Sequence, residues 1–351
     1  MLRTEFPASG IHVDDHNALH RAHNLAVYAD DEPDIKTALA KAAEYKIPQV
    51  KLNPANTYEI AETLVIPPEV ELDGGGRGVT SNAPTSVQGR AKIVTTALLD
   101  PMISLSHFSS IRGCKVNGEM KAIGAIFAKD VIYNNIYDNL ICRVTDYGLK
   151  FGGCLFPVIR QNTFNQIGGW GIDALQEYGD TGYYGINAGL SERNEYKGNK
   201  GLMRIEGILT SLSDDFETSA RENPIVIVGG AVQSQLVMYA PYFEISKSSY
   251  PMKVVRVTAD SHFTLSGGQA YGSILDVDGV FLEASNAAHL DVTGTVIRRF
   301  ATVFKGTVRA TASIRIAGLR LSDYTVANGF TNLADAETVF CVWPGTKIGA
   351  T

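Results

Sequence analysis

Gln235-Leu-Val-Met-Tyr239, His262-Phe-Thr-Leu-Ser266, His289-Leu-Asp-Val-Thr293 and Ser313-Ile-Arg-Ile-Ala317 are four copies of one short alternating strand. They are offset by 27, 27 and 24 residues, and three of them run into a glycine: Gly267, Gly294 and Gly318. A second set lies upstream: Val131-Ile-Tyr-Asn-Asn-Ile-Tyr-Asp-Asn-Leu140 matches Val158-Ile-Arg-Gln-Asn-Thr-Phe-Asn-Gln-Ile167 at an offset of 27, with a weaker copy from Arg193 to Asn199. In that register Asn135, Asn162 and Asn194 are equivalent.

Strands of period two that recur about every 25 residues leave no room for the helical crossover of a βαβ fold. A propeller has a longer period and needs antiparallel hairpins, which the sequence does not signal. What fits is all-β: a right-handed parallel β-helix, a three-sheet solenoid whose coils stack about 4.8 Å apart, so that equivalent residues form ladders. The open edge of the first coil needs a cover. Asp34 to Tyr45 supplies a capping helix, with Ile35, Ala38, Leu39, Ala42 and Ala43 at helical spacing, Asp31 or Asp34 to cap it and Pro33 ahead of it. The division expected is an N-terminal neck over residues 1–30, the β-helix over 31–340 and a C-terminal tail over 341–351.

With 45% hydrophobic and 19% charged residues, the chain has ample core material and no compositional mark of disorder. A net charge of −6 without a Lys/Arg stripe argues against a nucleic-acid partner, and no apolar run approaches the ~20 residues of a membrane span. Met1 to Gly10 lacks the basic-then-apolar pattern of a secretory leader. Cys114, Cys142, Cys154 and Cys341 lack metal-type spacing and read as buried thiols, the first two stacked in neighbouring coils.

The cap helix, followed by Val50-Lys-Leu52, Thr57-Tyr-Glu-Ile60, Leu64-Val-Ile-Pro67 and Val70-Glu-Leu-Asp-Gly-Gly-Gly76, resembles the opening of the pectate-lyase-like superfamily, in particular the β-helix of phage tailspike depolymerases. The likeness covers about Asp31 to Gly76; the family's glycine-rich, Asp-Asp-containing lead-in is replaced by Asn24-Leu-Ala-Val-Tyr-Ala-Asp-Asp-Glu32. It implies action on a bacterial surface polysaccharide without a cofactor, a homotrimer, and a place on the virion tail or outside the cell.

On a solenoid the outward residues carry the chemistry. One column aligns Gly148-Leu-Lys-Phe151, Gly171-Ile-Asp-Ala174, Leu202-Met-Arg-Ile-Glu206, Pro224-Ile-Val-Ile-Val228, Val254-Val-Arg-Val-Thr258 and Ile274-Leu-Asp-Val-Asp278. Alternation then points Lys150, Asp173, Arg204, Glu206, Arg256, Asp276 and Asp278 outward. Ile225 and Ile227 interrupt the column and suggest a subunit contact. Glycoside hydrolysis uses two carboxyl groups, about 5–5.5 Å apart for retention and about 6.5–9.5 Å for inversion. Asp173 with Glu206 is the first such pair and Asp276 with Asp278 the second. Trp170, Glu177, Tyr178, Asp180, Tyr183 and Tyr184, in a segment five residues longer than the repeat before it, join Arg204 and Arg256 as candidate substrate-binding groups. A further excursion, Ile208 to Asn223, carries Asp214, Asp215, Glu217 and Glu222 as a possible groove wall.

Other readings stay open. His262 and His289 share a register, with Asp291 and Arg315 nearby, which would suit a polysaccharide lyase. His16, His20 and His23 would share one helical face, a weak metal motif or simply part of a packed neck. The same fold would also serve a glycan-binding or structural tail module, or a fructan-rearranging transferase.

Overall fold

The computed structural model describes residues 26–76, 89–180, 182, 184–218, 224–245, 253–258, 260–272, 279–322, 324, 326–331 and 337–342. His16, His20, His23, Tyr183, Glu222, Asp276 and Asp278 lie outside these residues.

The chain winds as a parallel β-solenoid of about 10 turns with one α-helix near its N-terminus. Each full coil contributes one strand to each of three sheets. Sheet 1 includes Tyr147–Gly152, Trp170–Ala174, Gly201–Ile205, Val226–Val228 and Lys253–Thr258. Sheet 2 includes Asn135–Tyr137, Val158–Arg160, Gln235–Tyr239 and His262–Ser266. Sheet 3 includes Leu140–Cys142, Thr163–Asn165, Glu195–Lys197, Asp215–Thr218 and Tyr242–Ile245. Every pairing between coils is parallel, as in Leu149 to Ile172 to Met203 to Val226 to Val255. Toward the C-terminal end, Val280–Thr293 and Thr302–Ser322 run through corners that break the strands elsewhere.

Alternation sends one set of side chains into a continuous interior. Leu149, Ile172, Met203, Val226, Val255 and Leu282 are fully buried in sheet 1. Behind sheet 3, Phe164, Tyr196, Phe216 and Phe243 stack with ring centroids 4.8, 4.9 and 4.7 Å apart, the coil spacing itself. The helix Ile35–Glu44 covers the first coil through Ile35, Ala38, Leu39 and Ala42, and Asp34 caps it by accepting from the Thr37 amide at 2.7 Å. Ala43, expected on the apolar face, is exposed. The strand Val27–Tyr28 precedes the helix and already pairs with Gln49–Lys51.

At the corner between sheets 2 and 3, Asn139, Asn162 and Asn194 form a buried amide ladder. The Asn139 amide donates to Asn162 Oδ1 at 3.1 Å, and the Asn162 amide donates to Asn194 Oδ1 at 2.9 Å. Each Nδ2 also donates to a main-chain carbonyl, of Ile111, Ile136 and Ile159 respectively. The ladder ends on Asp214, which accepts from the Asn194 amide and Nδ2 and from the Ser191 and Ser211 hydroxyls.

The repeats downstream of Gln235 hold the expected register residue for residue. Those upstream do not: Asn135 pairs with Val158, and Leu140 with Thr163. The true offset is therefore 23, and Asn139 rather than Asn135 is the rung. Two Asn-rich segments can be slid by four residues without changing which side chains face in, because four is even. Cys142 correspondingly lies level with Asn117, not Cys114; both thiols are buried but unstacked. Ile225 is also inward, fully buried beside Val226, because two successive residues face in where the chain turns into sheet 1. Ile227 keeps its outward place and is half-buried.

Asn162→Ala is expected to strand the Asn139 amide and the Ile136 carbonyl, costing roughly 3–5 kcal/mol, whereas exposed Asn135→Ala should stay within about 0.5 kcal/mol; chemical denaturation of the two variants checks this. Burial pushes the Asp214 carboxyl up to about 6 despite its four donors. A raised acid holds its proton better folded than unfolded, so stability should fall as pH rises from about 4 to 6. Asp214→Asn should reduce that slope, leaving the share that Asp215 contributes, and exceed the parent's stability at neutral pH, read from urea midpoints across the range.

Candidate functional site

The outer face of sheet 1 carries one column through Phe127, Lys150, Asp173, Arg204, Ile227, Arg256 and Glu283. Asp173 and Arg204 meet on neighbouring coils as a bidentate pair, Nε to Oδ1 and Nη2 to Oδ2 both at 2.7 Å. The Tyr178 hydroxyl closes the group, donating to Asp173 Oδ2 and accepting from Arg204 Nη2, each at 2.9 Å. Asp173 keeps only 1% of its surface exposed. Trp170 lies under the Arg204 guanidinium, 5.5 Å from its ring. It is buried as well, since a side chain at Gly201 would strike its ring. Lys150 points its ammonium into the rings of Tyr178, Tyr147 and Phe127, at 4.0, 4.9 and 5.5 Å. At the rim stands Asp146, which sequence reading did not single out. Its carboxyl is raised above the usual range by burial and then by Asp173, against Lys150 and Arg204.

Glu206 does not face Asp173. It holds two loops, accepting from the Gln176 amide at 2.8 Å and the Ala231 amide at 2.6 Å. Gly230 leaves room for it, since a Cβ there would displace Oε1. The insertion forms a 3-10 turn, Gln176–Tyr178, that lies back across the preceding coils. Asp180 pairs with Lys129 at 2.7 Å and its amide donates to Asp130. Glu177 is exposed and Tyr184 half-buried. The structure thus gathers Trp170, Asp173, Tyr178 and Arg204 around one ion pair, with Glu206 as a loop anchor.

The column ends differently from the sequence alignment. Val255 pairs with Leu282 and Arg256 with Glu283, because the strand Val280–Thr293 lies on the next coil. Asp276 and Asp278 lie outside the described residues, and Glu283 is a member of the column that the sequence alignment did not include. Lys253 and Arg256 both bond Glu283 at 2.6 Å; burial opposes them, but together they hold its carboxyl below the usual range.

Sheet 3 presents a second polar face. The expected excursion from Ile208 instead folds as the strands Gly207–Leu212 and Asp215–Thr218, since Leu209 and Phe216 are apolar enough to enter the interior. Asp214 enters the amide ladder, and Asp215 and Glu217 face outward. Glu195 pairs with Asp215, Lys197 with Glu217, and Glu217 with Glu244. Four acids thus share this face with Lys197, which pairs with Glu195 and lies 3.6 Å from Glu217. Asp215 Oδ1 is buried without a hydrogen-bond partner. Burial, then Glu217 and Glu195, push the Asp215 carboxyl up to about 6. Tyr242 and Tyr271 continue the face, the Tyr242 hydroxyl donating to Glu244 at 2.8 Å. The signal in the sequence was the repeated polar-aromatic-polar triplet Thr163-Phe-Asn165, Glu195-Tyr-Lys197, Asp215-Phe-Glu217 and Tyr242-Phe-Glu244.

On sheet 2, His262 and His289 pair as expected, ring centroids 5.5 Å apart. Burial, then His289, lowers the His262 pKa. Asp291 and Arg315 are only loosely associated, at 4.0 Å. Among the described residues no group of three or more His, Cys, Asp or Glu could hold a metal ion.

Glu206→Gln would turn a side-chain donor toward one of its two loop amides. Hydrogen exchange at Gln176 or Ala231 is expected to accelerate at least about tenfold, equivalent to roughly 1.4 kcal/mol of lost protection. Exchange at Ile172 and Met203 should stay unchanged.

No protein-family model matches the sequence, and no curated protein matches it. Among solved structures, ORF18 of Geobacillus virus E2 aligns with TM-score 0.56 and 11% identity over 94% of this chain and 63% of that one. The tailspike protein of Acinetobacter baumannii phage AM24 aligns with TM-score 0.54 and 10% identity over 85% of this chain and 53% of that one. The chain spans less than two thirds of the length of either. It shares with these phage proteins the parallel β-helix fold.

Proposed function

We propose that the protein degrades a bacterial surface polysaccharide as part of a phage tailspike, by hydrolysis at the outer face of sheet 3. Asp215 donates a proton to the leaving oxygen, and Glu217 is its carboxylate partner. The observation that carries this is an acid held near 6 among Glu195, Glu217 and Glu244, the tuning a proton donor needs near neutral pH. Two residues along one strand place the side-chain origins of Asp215 and Glu217 about 6.5–7 Å apart, from which their carboxyl groups can reach the roughly 6.5–9.5 Å separation that inverting enzymes use. Tyr242 and Tyr271 supply apolar ring surface beside the acids, as sugar sites require. A lyase must instead neutralise a uronate carboxylate, and a face carrying Glu195, Asp215, Glu217 and Glu244 opposes that.

The second reading places the chemistry on sheet 1, with Asp173 and Glu206 as the acid/base pair and Trp170, Glu177, Tyr178, Asp180, Tyr184, Arg204 and Arg256 binding substrate. The raised carboxyl of Asp146 next to Asp173 favours it. A homotrimer on the virion tail goes with either site and rests on the tailspike-like fold; sedimentation of the purified protein tests it.

Reducing ends released from a panel of capsular and O-antigen polysaccharides test the reaction. Asp215→Asn and Glu217→Gln are each expected to lose at least about a hundredfold in kcat/KM, while Asp173→Asn and Glu206→Gln change it little; the reverse pattern moves the site to sheet 1. Because the donor must be protonated, activity should fall as pH rises through about 6. Ultraviolet absorbance from an unsaturated uronate would mark a lyase, and binding without cleavage a recognition module.

A further inference from the structure

The corner between sheets 1 and 2 carries Phe108, Tyr133 and Phe156 on successive coils, 47, 51 and 43% exposed. Their rings form a column outside the solenoid, centroids 5.6 and 4.9 Å apart and planes inclined by only 16° and 15°. All three have left-handed backbones, φ 58, 55 and 55°. That conformation is unfavourable for a bulky side chain, on the order of 1–3 kcal/mol each. The left-handed column beside the amide ladder shows what the fold ordinarily places there: Asp138, Gln161, Arg193, Ser213 and Ala240. Aromatic residues at three consecutive coils, strained and facing water, serve neither the core nor either acidic face.

We infer that this column is an accessory platform for an extended polysaccharide chain, an inference that rests on the proposal that the protein acts on glycans. At these centroid distances parallel rings must be offset, like shingles, so part of each face stays open. Their spacing is close to the length of one pyranose in an extended glycan, and the line of rings follows the solenoid axis. The column is bounded by Glu69 before Phe108 and by Ala188 after Phe156, both also left-handed, so it offers on the order of three stacking positions at one ring per sugar. Leu155 widens it at the last ring, while exposed His107 and Asn135 flank it with polar groups. A ribbon one ring wide with polar edges fits a linear polymer better than the broad apolar patch of a protein interface. The same corner bears the Gln176–Tyr178 turn that bonds Asp173, so a glycan held here borders sheet 1, lies across the solenoid from sheet 3 and occupies neither proposed face.

The test replaces all three rings with asparagine, which accepts the left-handed backbone more readily than an aromatic residue, so Phe108→Asn, Tyr133→Asn and Phe156→Asn together should fold and melt no lower than the parent. Affinity electrophoresis through gels containing purified capsular, O-antigen and neutral glucan polysaccharides measures retention. The triple variant is expected to lose roughly tenfold to a hundredfold in affinity for the retained polymer. It should still release reducing ends from short oligosaccharides, while Asp215→Asn keeps the parent's retention. Retention by the triple variant equal to the parent's overturns the platform and leaves the proposed hydrolysis standing. Unchanged retention with a smaller sedimentation coefficient assigns the column to contact between copies instead. A parent protein that neither binds nor cleaves any polymer in the panel overturns both readings.

Discussion

Translation by one coil is the constraint on which the rest depends. Because every strand pairs in parallel with an equivalent strand, each side chain lies over a counterpart about 4.8 Å away. Inside, this rewards repetition of shape, as in the stack from Phe164 to Phe243. It also makes a buried polar residue tolerable when its neighbours repeat it. A single buried asparagine would leave amide groups unpaired; in a ladder each rung satisfies the next. Outside, the same rule lines charges up in columns, so their signs must alternate or their protons must rearrange.

Sheets 1 and 3 resolve that choice in opposite ways. On sheet 1, Asp173 alternates with Arg204 and Glu283 with Arg256, and the charges close on one another. On sheet 3, Glu195 stands over Asp215 and Glu217 over Glu244, with Lys197 as the amine between them. Burial first, and then like charges at coil spacing, favour the protonated form, and together they raise the Asp215 carboxyl. The first face is built for rigidity; the second holds the strained electrostatics expected of a reactive surface.

How much of this was legible follows from where parity suffices. The four copies that begin at Gln235, His262, His289 and Ser313 were placed correctly because a nearly constant period and a two-residue alternation agree there. Upstream, the coils vary: the rungs Asn139, Asn162, Asn194 and Asp214 are 23, 32 and 20 residues apart. An alignment assuming 27 could still sort inside from outside, yet it named Asn135 in place of Asn139. That Asp173 and Arg204 share one outward column was legible because it needs only parity; that they close on each other as an ion pair was not. Nor were the surroundings of Glu206 and Asp215, since one depends on loop amides and the other on burial and on which acids stand on adjacent coils. The pairing of Arg256 with Glu283 was hidden by the continuous strand Val280–Thr293, which removes the corner that a repeat search uses as its marker.

The amide ladder has a direction. Asparagine both gives and receives, so a rung can be followed by an identical rung indefinitely; Asp214 receives from the ladder and from two serine hydroxyls and passes no amide proton onward. A whole coil duplicated between Asn139 and Asn194 would slot in with all its partners supplied, whereas one inserted after Asp214 would meet Pro241 and find no matching rung. The solenoid therefore contains a stretch where it can grow by copying itself and a seam where it cannot.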